Sequence, residues 1–460
     1  MTTLWSGRFD AEPDPDTFKF GSSFRFDRRL FDEDVTGSVS WARALGRAGV
    51  LPIAEADQIE KTLKAILERG RSDPPFVAGD DEDVHSFVER MLVERLGDVG
   101  RRLHTGRSRN EQVSLDLRLY LMRHIPVLQR AVAGVVAALA GQAASAGDAL
   151  MPAFTHFRAA QPVLVAHFFL AHVAALRRDY QRLAAARAEA DALTLGSGAV
   201  AGTSYEIDVE ALARDLGFSR IVANSIDASS DRDFAASFQF ACAMAMVHLS
   251  RLAEDLIILS GEGHHFFELS DALSTGSSMM PQKKNPDPLE LVRGKTGRAI
   301  GHLMALLTTM KGLPSGYNKD LQEDKQAVFD AEDTLAGCLA TIRAVANGLT
   351  LDRDRAARAA SGLLLATDVA DYLVRRGLPF RRAHEIVGGL VRKLVADGRE
   401  FDSLSLKEWR AVSDLFDADI VSHVTPRASV AAKRTPQSTA PMAVGRALAE
   451  VQAWLTEVGG

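Results

Sequence analysis

Apolar residues along this chain recur at helical spacing far more often than they alternate. Between residues 112 and 146, Val113, Leu117, Leu121, Leu128, Val132, Val135 and Leu139 fall three, four or seven positions apart, the stripe of one long helix with a kink expected at Pro126. The same period, in stretches rich in Ala, Leu, Arg and Glu, predicts long helices over 162–194, 233–262, 289–311 and 324–349. Before them, shorter amphipathic pieces at 54–69 and 84–96 are separated by Asp73-Pro74-Pro75 and Gly79-Asp80-Asp81. After Leu351, charged helical segments such as 381–397 and 406–416 alternate with short loops up to a proline-containing stretch at 425–441. Strand signals are weak throughout, since no Val, Ile and Thr run is bounded by an Asn-Gly turn. The expected fold class is therefore all-α. The expected domains are a helical one at 1–106, a central bundle of long helices at 107–355 and a small helical one at 356–460.

Composition narrows the partners. With 47% hydrophobic and 25% charged residues in 460, the chain reads as an ordinary globular protein. A formal net charge of −6 offers no basic surplus for nucleic acid or an anionic membrane, while leaving room for cations gathered around an acidic small molecule. Cys242 and Cys338 are too few for a disulfide framework, and residues 1–10 lack the apolar core of a secretory signal, so a cytoplasmic location is expected. The most apolar stretches, 132–140 and 162–176, fall short of the roughly 20 residues of a membrane helix, so no membrane span is expected.

Several polar clusters interrupt the helical pattern. The run Thr275-Gly-Ser-Ser-Met-Met-Pro-Gln-Lys-Lys-Asn-Pro286 holds hydroxyls, ammonium groups and amides between breakers, off any regular period, as a reactive loop would. Met279 and Met280 within it are expected to pack and anchor it. His104-Thr-Gly-Arg-Ser-Arg-Asn110 precedes the first long helix, where hydroxyls, backbone N–H groups and arginines suit carboxylate binding; the plainer reading is an N-cap flanked by solvated arginines. Thr155-His156 precedes a helix expected to begin near Gln161-Pro162; taken alone, a single histidine is more often structural than catalytic. Further clusters lie at 80–86 and 317–325. Gly196-Ser-Gly198-Ala-Val-Ala-Gly202 misses the dinucleotide-binding spacing and reads as a tight connection between helices. The spacing of the histidines, including His167 with His172 and the adjacent His264 and His265, gives no metal site.

Together the clusters carry a signature. Gly276-Ser-Ser-Met-Met-Pro-Gln-Lys-Lys-Asn-Pro286 resembles the Gly-Ser-Ser-x-Met-Pro-x-Lys-x-Asn-Pro motif of the fumarase/aspartase superfamily, and its Gln-Lys-Lys version resembles the argininosuccinate lyase family. His104 to Asn110, Thr155-His156, Gly202-Thr-Ser-Tyr-Glu-Ile-Asp208, Asp231-Arg-Asp233, Tyr317 to Lys325 and Leu4-Trp-Ser-Gly-Arg-Phe9 are similar to that family in its order. The resemblance implies a three-domain helical subunit whose long helices join those of three partners in a homotetramer, each active site drawn from three subunits. It also implies reversible elimination of argininosuccinate to arginine and fumarate in arginine biosynthesis, with neither metal nor organic cofactor.

The roles it implies suit the residue types. Ser277 would take the proton next to a carboxylate, with Lys283 and Asn285 stabilising the charge that builds there. His156 would serve the leaving nitrogen, with Glu290 as its carboxylate partner. Ser23, Ser108, Arg109, Asn110 and Thr155 would bind the succinyl carboxylates, and Asp83, Tyr317, Lys319 and Gln322 would line the arginine-like arm. The chain departs from the family at Phe157-Arg158-Ala159 after His156, which sets a cation where an amide is usual, at Glu111 in place of Asp, at Gly21-Ser22, and at 433–438. Arg158 and Ala159 raise the alternative of a lyase for another N-substituted aspartate; a catalytically idle, crystallin-like protein on the same scaffold is the third reading.

Overall fold

The amphipathic stretches fold where their period places them. A computed structural model describes residues 14–459, so the Leu4 to Phe9 segment lies outside the described residues. After two short helical segments, Pro15–Gly21 and Phe24–Asp27, come three longer helices, α1 (Phe31–Arg47), α2 (Ile53–Ser72) and α3 (Val84–Leu96). The five long ones follow as α4 (Arg109–Ala146), α5 (Val165–Ala190), α6 (Asp233–Ser260), α7 (Asp287–Met310) and α8 (Asp324–Gly348). Helix α4 continues through Pro126. It is long and apolar enough to cross a membrane, but Val113, Leu117, Leu121, Leu128, Val132, Val135 and Leu139 are all buried in the protein. The all-α expectation holds.

The chain gathers into two compact units. The first contains residues up to Gln129, then Gln181–Met244 and Gly297–Leu335; the second contains Arg130–Tyr180, Ala245–Thr296 and the chain from Ala336 onward. Each of the five long helices contributes residues to both. In the first unit, Val35, Trp41 and Leu45 of α1, Ile59, Leu63 and Ile66 of α2, and Val84, Val88 and Leu92 of α3 are fully or almost fully buried. At about 1.5–3 kcal/mol for each large apolar side chain, that layer dominates local stability. Phe87 stacks on Phe24 at 5.2 Å, and α2 approaches Phe31 so closely that a Cβ on Gly70 would lie 2.3 Å from the ring. In the second unit, the stretch after residue 360 has its own core of Val369, Leu373, Val387, Leu390, Leu394, Trp409, Phe416 and Ile420. The segment predicted at 406–416 is helical only over Leu406–Val412, opened by a capping box between Ser405 and Glu408.

One element contradicts the sequence reading. The helix expected from Gln161-Pro162 begins at Val165, and an antiparallel hairpin precedes it, β1 (Leu150–Thr155) and β2 (Arg158–Leu164). Pro152 faces Pro162 in its register, which a two-stranded ribbon tolerates because each strand is an edge. Its two-residue turn is His156-Phe157, with φ of 53° and 58° where Asn-Gly is usual. Prolines in both strands and an atypical turn hid the hairpin. The Gly196 to Gly202 run is the tight connection expected: Gly196, Gly198 and Gly202 have positive φ, and a Cβ on Gly198 would lie 2.5 Å from the Gly202 carbonyl oxygen.

Candidate active site

Six of the predicted residues line one cavity of about 460 Å³ within the first unit: Ser23, Asp83, Arg109, Tyr317, Lys319 and Gln322. The start of α3 builds its wall. Asp83 is the N-cap, accepting the Ser86 N–H at 2.7 Å, and Arg109 Nη1 reaches both Asp83 oxygens at 2.6 Å. Burial opposes ionisation of Asp83, but Arg109 and the nearby His85 outweigh it and hold the carboxyl below its usual range. Across the wall, Ser23 Oγ donates to Asp27, whose other oxygen accepts the Val84 N–H at 3.0 Å. Lys319 reaches Glu82 at 3.2 Å and Gln322 donates to the Gly21 carbonyl at 3.2 Å.

Ser108 and Asn110 stand at the start of α4. Ser108 Oγ accepts the Asn110 N–H at 3.3 Å, and the Ser108 N–H donates to Glu111 at 3.0 Å, so Ser108 does cap the helix. The flanking arginines are not solvated: Arg107 is buried with Nη1 on Ser38 Oγ, and Arg109 holds Asp83. Burial raises Glu111 to about 7.

Sequence reasoning missed several lining residues, among them Asp27, Glu82, His85, Glu89, His104 and Lys325. Glu82, His85, His104 and Lys325 fall inside clusters that stood out as polar, so the signal was present but only their neighbours were taken from it. Asp27 and Glu89 sit in ordinary amphipathic sequence, with no local mark. Burial and then the charges of Arg107 and Arg109 pull His104 down to about 4, so it is a neutral donor or acceptor at pH 7. Burial raises Asp27 and Glu89, and lifts the Tyr317 hydroxyl to about 12. Arg109, Lys319 and Lys325 thus line the space together with Asp27, Glu82, Asp83 and Glu89, a mixture that suits a small ligand bearing charges of both signs.

The second unit holds the remaining residues. The two-residue pairing of Thr275-Gly276 with Lys284-Asn285 closes the loop, and Thr275 Oγ1 donates to Asp287 at 2.5 Å. Inside it, Ser277 Oγ accepts the N–H groups of Met279 at 3.3 Å and Met280 at 3.0 Å. Lys284 is tied to the Leu269 carbonyl at 2.5 Å and to Asp271 at 2.9 Å, whereas Lys283 is exposed with no ion pair among the described residues. The expectation that both methionines pack is wrong: Met279 is 83% exposed and Met280 36%. Their contribution to the loop is their backbone N–H groups. Thr155 and His156 are exposed at the hairpin tip, and Glu290 is exposed in the first turn of α7; no hydrogen bond joins His156 to Glu290 among the described residues.

Known proteins are similar to this chain over almost its whole length. A family described as Lyase matches residues 7–301, and one described as Argininosuccinate lyase C-terminal matches 363–431. An argininosuccinate lyase of Moorella thermoacetica is 49% identical over 452 residues, covering 97% of this chain and 96% of its own. One from Pelotomaculum thermopropionicum is 47% identical over 461 residues, covering 99% and 100%. Among solved structures, EDDS lyase in complex with formate superposes with a TM-score of 0.86 at 26% identity, covering 98% of this chain and 92% of that one. The 3-carboxy-cis,cis-muconate lactonizing enzyme from Pseudomonas putida, at 20% identity and a TM-score of 0.76 over 96% of this chain and all of its own, shares the fold. With near-complete coverage at close to half identity and both family matches in place, the chain belongs to the argininosuccinate lyase family.

Proposed function

We propose that this protein catalyses the reversible elimination of argininosuccinate to arginine and fumarate, and that it does so in the cytoplasm as a step of arginine biosynthesis. The observation that carries the mechanism is the setting of Ser277, whose oxygen already accepts two backbone N–H groups. Those dipoles stabilise negative charge on that oxygen, as a serine acting as a base requires. As its alkoxide, Ser277 takes the proton from the carbon next to the succinyl carboxylate and becomes the neutral hydroxyl, and the electron pair left behind is drawn into that carboxylate. Lys283 and Asn285 stabilise it as a point charge and an amide donor. The pair then forms the C=C bond of fumarate as the C–N bond breaks, and His156 supplies a proton to the departing guanidinium nitrogen, oriented by Glu290. Ser23, Ser108, Arg109, Asn110 and Thr155 hold the carboxylates, while Asp83, Tyr317, Lys319 and Gln322 hold the arginine arm.

We infer a homotetramer, supported by Ile300, Met304 and Leu307, which are 42%, 57% and 44% exposed at i, i+4 and i+7 on α7. Light scattering should return about four times the 49.8 kDa chain mass; a monomer overturns the assembly. The three domains are proposed at 1–106, 107–355 and 356–460. Purified protein incubated with argininosuccinate should release fumarate, followed by its absorbance; none at any pH between 6 and 9 sinks the proposal. The second reading, a lyase for another N-substituted aspartate, is favoured by Arg158, which is exposed and pairs with Thr155 in the hairpin register. Competing substrates at equal concentration separate the two by kcat/KM.

A further inference from the structure

Beneath the cavity lies a charged cluster that the mechanism above does not use. His85 is 2% exposed, and its Nδ1 lies 2.8 Å from Asp34 Oδ1 and 3.2 Å from Asp116 Oδ2, both carboxylates being fully buried. Among the described residues, His85 is the only ion-pair partner of either aspartate; Gln112 adds an amide donor to Asp34. Arg107 is buried nearby, but its hydrogen bond goes to Ser38. Burial and then the neighbouring Asp34 raise Asp116 to about 8, so the negative charge rests on Asp34, which His85 holds below its usual range against burial; that buried charge needs a positive ring, because an uncompensated one costs several kcal/mol. Burial works against protonation, yet Asp34 and Asp116 push the ring up to about 10.

The first turn of α3 shows what the cluster holds. Four consecutive residues each carry one attachment. Asp83 takes Arg109, the Val84 N–H goes to Asp27 at 3.0 Å, His85 enters the buried aspartates, and Ser86 Oγ meets Arg109 at 3.3 Å. Only the His85 attachment runs into the interior; the others belong to the cavity wall. His85 also lines the cavity, and its Nε2 has no hydrogen-bond partner among the described residues.

We propose that His85 is a positioning residue: an imidazolium clamped between Asp34 and Asp116 that fixes the first turn of α3, and with it the Asp83–Arg109 pair, in the geometry that receives the substrate's charged groups. The inference rests on the reading of this cavity as the substrate site. The titratable groups acting on the ring are Asp34 from α1, Asp116 from α4, Asp83 beside it, Asp27 across the wall and His104, with Arg107, Arg109 and Glu89 around Asp34.

Steady-state kinetics on full-length His85→Gln should show KM for argininosuccinate raised at least ten-fold, with kcat within about three-fold of wild type. A merely structural role would lower kcat through a smaller folded fraction and leave KM unmoved, and that result overturns the proposal. Asp34→Asn keeps the Gln112 contact but removes the nearest counter-charge. Its KM should climb between pH 6.5 and 9 while that of wild type stays flat, and equal profiles overturn the proposal even if His85→Gln fails to fold. Nitrogen NMR of histidine-labelled wild type, with His85 assigned by the Asp34→Asn shift, should show a doubly protonated ring at pH 8; a neutral ring overturns it. Because that spectrum needs no turnover, a wild type that releases no fumarate would count against the proposed reaction and leave the state of His85 still decided.

Discussion

Around Asp83 in the first unit the charges are answered within the chain, whereas in the loop at 275–286 of the second unit Lys283 and Asn285 have no side-chain partner among the described residues. The cavity wall is anchored by Arg109 on Asp83, Lys319 on Glu82 and Asp27 on the α3 backbone. Such preorganisation cuts the ordering cost of binding, because the groups a ligand meets are already in place. The loop is held instead by two short backbone pairings and by Lys284, with Ser277 half-buried and Lys283 exposed. Its proposed task differs: as the base, Ser277 would change charge during turnover, and groups proposed to stabilise the transition state gain by leaving the ground state unengaged. On the proposed roles, the contrast teaches that binding and chemistry are built by different physical means, and substitutions should separate them.

The largest effect expected is at Ser277. Ser277→Ala should lower kcat by about 10³-fold or more while leaving the unfolding midpoint within about 0.5 kcal/mol of wild type, because the hydroxyl accepts only two loop N–H groups. Single-turnover fumarate release and denaturant unfolding check both halves, and retained activity would remove Ser277 as the base. Next comes Lys283→Ala, at about 10²- to 10³-fold in kcat, the usual loss for one oxyanion donor, again without a stability change. His156→Asn should cost about 10²-fold. If Lys283→Ala acts mainly on KM, the loop belongs to binding and the contrast collapses.

Arg109→Ala should give the opposite signature. It leaves Asp83 buried and unpaired, so a loss of about 3 kcal/mol of stability is expected together with a raised KM, read by urea unfolding and initial rates. The pH dependence follows with a smaller amplitude. The Asp83 carboxyl is held below 3.8 in the folded chain, so its contribution is complete above that value and is lost as pH falls below it. His85 is raised from 6.5 to about 10, so its contribution is complete below 6.5 and is lost as pH climbs towards 10. The urea midpoint should therefore decline on both sides, and Asp83→Asn should flatten the acid limb alone.

The sequence revealed the two regions unequally. Helical period placed α3 and the five long helices because each buries a continuous stripe, and period survives whatever the helix packs against. The hairpin was invisible because Pro152, Pro162 and a His156-Phe157 turn suppress the usual strand and turn marks. In the candidate site, the loop stood out because it fits no period, while Asp27 and Glu89 did not, since a charged residue on an amphipathic helix looks the same whether it faces water or a cavity. Met279 and Met280 show the converse: apolar composition suggested packing, but the loop uses their N–H groups and leaves Met279 exposed.

The smallest effect expected is the sharpest test of the loop. Lys283 and Lys284 are adjacent and carry the same charge, yet the structure gives them different work. Lys284 ties the loop to the Leu269 carbonyl at 2.5 Å and to Asp271 at 2.9 Å, and Asp271 and then Glu268 raise its pKa. Its side chain is 35% exposed and that of Asp271 99%, so this is a surface pair worth about 0–1 kcal/mol. Lys284→Ala should therefore shift the unfolding midpoint by about 0.5 kcal/mol or less. It should lower kcat by less than about ten-fold, since a looser loop still presents Ser277 for part of the time. Raising the salt concentration should erase the stability difference, because exposed pairs are screened. If Lys284→Ala instead matches the loss at Lys283, the ammonium that stabilises the developing charge is not assigned by exposure, and both lysines must turn towards the substrate when the loop closes.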